Sequence, residues 1–137
     1  MKKLMLFTGM LAACISLFAG TPNTLYVKVK KVSSTEGKVS VTLFDTEQNW
    51  LKKGQTVQVD ASDPEVVVKF DNVPSGVYAV SVMHDKNSNG KLDTMMFGIP
   101  TEAYGFSNNA KGHFGPASFE DSAFSIQAHT TIEINLN

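Results

Sequence analysis

Oxygen-bearing side chains recur at every second position in the stretch His84-Asp85-Lys86-Asn87-Ser88-Asn89-Gly90-Lys91-Leu92-Asp93. A chain that coils around a hard cation turns alternate side chains inward, and a glycine supplies the sharp turn that lets it close. Asp85, Asn87, Asn89, the Lys91 carbonyl and Asp93 stand at the ligand places of a calcium loop of the EF-hand kind, with Gly90 at its turn. The place where a bidentate glutamate normally completes the shell is held by Met96. Glu102, Glu120 or Asp121 would have to fold back to supply it. Two carboxylates and two amides make a weakly charged site, so the expected calcium affinity is in the millimolar range. The same letters also spell an Asn-Gly turn whose side chains bond their own backbone and need no metal.

A second group follows at once. From Phe97 to Phe119 the chain is rich in glycine, asparagine and aromatic residues and shows no regular period. Its aromatic residues have area to bury, which argues for an ordered loop rather than a disordered one. Tyr104, Phe106 and Phe114, with Asn108, Asn109 and His113 as polar partners, are the candidate ligand-binding residues. A loop that merely packs on itself and plugs the core is the structural alternative.

Catalysis has little support. The histidines do not fall at helical metal-binding spacing, and no G-x-S-x-G elbow occurs. The one cysteine, Cys14, lies in the N-terminal leader. A paired-carboxylate site from Asp85 and Asp93 is conceivable, but an Asn-rich loop seldom shifts carboxylate pKa values far enough for acid chemistry without burial. The expectation is a protein that is not an enzyme.

The elements that must hold these groups read as strands. Leu25 to Val32 and Lys38 to Phe44 alternate and suggest a hairpin around Ser33 to Gly37. Asp45 to Gly54 reads as a loose helical turn with Trp50 tucked against the rim. Thr56 to Asp60, Glu65 to Phe70, Val77 to Met83, Ala123 to Ala128 and Thr131 to Leu136 are further short strands. With no long helical period, the expected fold is all-β: a single antiparallel Greek-key β-sandwich of Ig-like or transthyretin-like kind with one long ordered loop.

Residues 1–19 place two lysines before an apolar run and end on small residues, as a secretory signal does. The run falls short of the about 20 residues that span a membrane, so the mature chain is expected to have no transmembrane segment. Residues 20–137 would then form the single domain. Cleavage after Ala19 fits the full apolar run. Leu11-Ala12-Ala13-Cys14 also resembles a lipoprotein box, which would leave a lipid anchor on Cys14. Without the leader, ten lysines face thirteen carboxylates, a net charge of −3, and there is no arginine. That excludes the basic patch a nucleic-acid partner requires.

Phe70-Asp71-Asn72-Val73-Pro74-Ser75-Gly76-Val77-Tyr78 resembles a motif of transthyretin-like and carboxypeptidase-regulatory-like sandwich modules. The HD-x-N-x-NGKLD run from His84, then FGIP-x-E-x-YGFSNNA and FGP-A-x-F, resemble the bacterial exported family of unknown function DUF2141, as do Phe44-Asp45, Trp50 to Lys53 and the Phe70 to Val80 stretch. The resemblance implies a β-sandwich and names no catalytic residues. The functional expectation is an exported, periplasmic or extracellular binding or structural module with one weakly bound calcium ion and a protein or small-ligand partner. A periplasmic carrier and a metal-dependent hydrolase are the alternatives.

Overall fold

The computed structural model describes residues 22–88 and 102–137. Strands β1 (Asn23–Lys30), β2 (Lys38–Phe44), β3 (Gln55–Asp60), β4 (Glu65–Val73), β5 (Gly76–Asp85), β6 (Tyr104–Phe106), β7 (Phe124–Ile126) and β8 (Thr130–Asn135) make up almost all the regular structure. They form two open sheets. One has the order β4-β1-β8, the other β3-β2-β5-β6, with β7 also pairing β5. The all-β sandwich expected from the alternating strands is the fold.

Alternation explains the core. In β1, Leu25, Val27 and Val29 are buried while Tyr26, Lys28 and Lys30 face outward. Val66, Val68 and Phe70 of β4 and Ile134 of β8 join them, opposed by Val39, Val41 and Leu43 of β2 and Val80 and Val82 of β5. Full burial of each such side chain is worth about 1.5–3 kcal/mol. This apolar seam fixes each strand's register, because a one-residue slip would turn it to water.

Two expectations about connectivity are corrected. The first two strands do not form a hairpin: β1 pairs β4 and β8, whereas β2 pairs β3 and β5. After β1 the chain passes to the other sheet, with buried Val32 donating its N–H to the Pro64 carbonyl at 2.9 Å. Nor is every pairing antiparallel. β1 and β8 run parallel from Leu25↔Thr130 to Lys30↔Asn135.

The Pro74-Ser75-Gly76 turn is tied by a side chain it precedes. The Tyr78 hydroxyl donates to the Pro74 carbonyl at 2.7 Å. Burial first, and the Asp45 carboxylate second, push the Tyr78 phenol above its ordinary 10.0. The folded state thus holds the phenolic proton more tightly than the unfolded chain does. That share of stability is complete below about pH 10 and is lost as pH rises through the raised folded-state value. Tyr78→Phe is expected to cost about 1 kcal/mol at neutral pH through the missing hydrogen bond. It should also flatten the alkaline fall in unfolding free energy above about pH 10. Urea titrations across that range check both; an unchanged alkaline slope would assign the fall to other groups.

Candidate functional site

The candidate metal loop leaves the sheet at the end of β5, and the register shows what surrounds its first ligand. Lys38 of β2 lies opposite both Asp60 of β3 and Asp85 of β5. Its ammonium turns to Asp60, 2.9 Å away. On the other side, β5 pairs β6 through Met83↔Tyr104, and the His84 N–H donates to the Ala103 carbonyl at 2.9 Å. Glu102 lies in the bend that leads into β6, one residue before that contact. Both carboxylates are withdrawn from solvent: Asp85 is 1% and Glu102 8% exposed.

The mouth is tightly built. Gly37, at φ +71°, lies against the β5 end so closely that a Cβ there would fall 2.1 Å from the Asp85 carbonyl oxygen. Only glycine fits both the angle and the space. His84 takes the opposite face. It is fully buried, with Nε2 2.8 Å from the Glu36 carbonyl, so Nε2 carries the proton it donates. His84 thus ties the β1–β2 connection to β5.

Asn87 is exposed beside Asp85. Asn89, Lys91 and Asp93 lie outside the described residues. Among the described residues no group of three or more His, Cys, Asp or Glu side chains comes together.

Most of the second candidate group has structural duties. Ser107 is fully buried where β5 changes partner, from β7 at Gly76 to Tyr78 to β6 at Ser81 to Met83. The Val80 N–H in that gap donates to Ser107 Oγ at 2.9 Å, and Ser107 donates to the Ser122 carbonyl. Asn108 Nδ2 donates to the Asp121 and Ala123 carbonyls at 3.1 and 2.8 Å. Asn109 Oδ1 accepts the Asn135 N–H at 2.9 Å. Both asparagines have positive φ, 61° and 50°, a conformation asparagine tolerates better than most residues. These three consecutive side chains bind the turn to β5, to the short helix α1 (Phe119–Ser122) and to β8.

The aromatic residues separate. Tyr104 and Phe106 meet edge to face at 5.8 Å, and Phe106 lies 5.7 Å from Trp50. Trp50 also contacts Phe44 and Phe119, at 5.0 and 5.9 Å, and donates Nε1–H to the Ala117 carbonyl at 2.9 Å. Phe114 is fully exposed (112%) and His113 is exposed. They do not close a pocket over Tyr104 and Phe106. Of the expected ligand-binding residues, Asn108 is engaged by backbone carbonyls, Phe114 faces water, and Tyr104 and Phe106 belong to an aromatic cluster around Trp50. The cleft that Phe106 does line holds about 150 Å³, below the roughly 300 Å³ of ordinary ligand pockets.

The match of the chain to the family model of uncharacterized proteins conserved in bacteria, DUF2141, covers residues 27–134. The chain belongs to the DUF2141 family. No curated protein and no solved structure matches it. In this DUF2141 protein the Tyr104 to Ala110 motif is a structural clamp, which gives those residues a role without any ligand. The sequence offered no sign of Ser107, because a serine in a polar run looks alike whether its hydroxyl faces water or a broken ladder. His129 was equally hidden: its Nδ1 accepts the Thr24 N–H at 2.9 Å. No helix among the described residues is long and apolar enough to cross a membrane.

Proposed function

We propose that this DUF2141 protein is an exported, non-catalytic binding or structural module whose β5–β6 end is braced by one weakly bound calcium ion. The observation that supports the reading is the burial of a carboxylate at each end of the 86–101 connection, Asp85 where β5 ends and Glu102 just before β6. Carboxylate oxygens are the ligands a hard divalent cation prefers. Glu102 would supply the carboxylate that Met96 withholds. Asn87, with Asn89, Asp93 and the Lys91 carbonyl expected from the sequence, would add neutral and charged oxygens of the kind calcium takes. The export reading rests on the residue pattern of 1–19.

Thermal melting in chelator and then in calcium tests the reading. At free calcium a hundredfold above the dissociation constant, the expected gain is about 2.7 kcal/mol. Asp85→Asn and Glu102→Gln should each remove most of the gain. A melting temperature indifferent to calcium at about 10 mM, roughly tenfold above the weak end of extracellular sites, would leave a plain polar turn. The intact mass of protein recovered from the envelope reads the amino terminus directly. Gly20 supports signal removal, and a diacylated Cys14 supports a lipid anchor.

A further inference from the structure

We propose that the cleft between β8 and the Ser107–Asn109 turn binds a small oxyanion, the carboxylate of an organic acid or inorganic phosphate, through the Lys31 and Lys111 ammonium groups. The cleft, of about 150 Å³, is lined by these two lysines, by Asn109, Asn135 and Asn137, and by Phe106. No acidic side chain lines it. Both cationic side chains therefore border one cleft with no carboxylate side chain among its lining residues.

Some lysines of the chain are already engaged by carboxylates. Lys30, Lys38 and Lys69 each hold an acidic partner, Glu133, Asp60 and Asp71, at 3.2, 2.9 and 3.2 Å. Lys31 and Lys111 form no ion pair among the described residues. The remaining wall is rich in donors. Asn109 Oδ1 is fixed by the Asn135 N–H, so its Nδ2 keeps both hydrogens for another acceptor. Phe106 gives an apolar wall on which a short hydrocarbon can rest.

The walls are set before any ligand arrives. Leu136 N–H donates to the Lys30 carbonyl and Asn137 N–H to the Tyr104 carbonyl, each at 3.0 Å, which joins β8 to both sheets around the cleft. Lys31 itself sits at φ 61°, where a long side chain is uncommon, between backbone hydrogen bonds on either side that hold it there. Lysine acts as a point charge and lacks the planar fork that distinguishes carboxylate from phosphate. The two sources must therefore be separated by experiment.

The 15N-labelled protein, in calcium-free buffer of low ionic strength, is titrated with sodium acetate and separately with sodium phosphate. Saturable shifts concentrated at the amides of Asn109, Lys111, Asn135 and Asn137 are expected. The anion that saturates at lower concentration identifies the natural class. Lys31→Gln and Lys111→Gln should each weaken binding about five- to tenfold, as charge-assisted contacts do, and added sodium chloride should weaken it further. Lys52→Gln should leave it unchanged. Each spectrum also reports whether the variant is folded. Shifts that fail to saturate, that spread evenly over the other lysines, or that persist in the folded Lys31→Gln/Lys111→Gln double variant overturn the site.

Discussion

Trp50→Ala is expected to destabilise the protein by about 3 kcal/mol, the lower part of the range for removing a large aromatic side chain, because the ring is only partly buried. The loss has two components that can be separated. Trp50 is the single tryptophan, and its ring joins Phe44, Phe106 and Phe119 into one cluster. Its indole N–H also holds the Ala117 carbonyl. Edge-to-face contacts are each worth about 0.5–1.5 kcal/mol beyond their buried area, and the hydrogen bond about 1 kcal/mol. Trp50→Phe keeps much of the ring packing and loses the hydrogen bond, so it should cost about 1–2 kcal/mol. Urea denaturation followed by circular dichroism measures both. If the two variants lose the same amount, the cluster contributes nothing beyond the hydrogen bond. The cluster would then not be what holds the segment before α1 against the sandwich.

The strands could be read from the sequence because their periodicity is local. Val39, Val41 and Leu43 alternate with Ser40 and Thr42 in the letters and are the buried apolar residues of the strand, although Ser40 is covered too. Sheet topology could not be read so directly. Nothing within Leu25 to Phe44 says that β1 will pair with β8, a hundred residues on, rather than with the strand that follows it. The short turn at Ser33 to Gly37 mimics a hairpin, and only long-range packing of Val32 and the Pro64 carbonyl shows that the chain crosses between sheets. β6 is not visible in the sequence because Tyr104-Gly105-Phe106 is too short to show alternation. Its glycine follows from a contact with β8: a Cβ at Gly105 would lie 2.8 Å from Ile134 Cγ2.

The candidate sites divide on the same line. Asp85 is legible as a ligand type, but its burial together with that of Glu102 depends on how β5 and β6 come together across a connection of many residues. Asn108 and Asn109 were legible as polar residues near aromatic ones. The direction of an amide is not written in its neighbours, and here both amides serve the protein's own backbone. The cleft at Lys31 draws residues from three separate parts of the chain, so no single motif announces it.

Ser107→Ala is the sharper test of how the sandwich closes. β5 is a central strand that must satisfy its backbone along its whole length, yet β7 covers only Gly76 to Tyr78 and β6 only Ser81 to Met83. The Ser107 hydroxyl stands in for the missing strand: it accepts the Val80 N–H and donates to the Ser122 carbonyl. Alanine would leave a buried N–H and a buried carbonyl without that partner, and each orphaned group costs about 1–3 kcal/mol. The expected loss is about 2–3 kcal/mol once a water or a small backbone shift recovers part of it. Ser107→Thr keeps the hydroxyl but adds a methyl group to a fully buried site, so it should lose less than alanine only if the site can yield. Amide hydrogen exchange gives the specific readout. Val80 should lose protection in Ser107→Ala far more than Val41 or Val68, which lie in regular stretches of their ladders. Uniform loss across all three amides would mean that the serine contributes only general packing and that the gap in β5 is closed by something else.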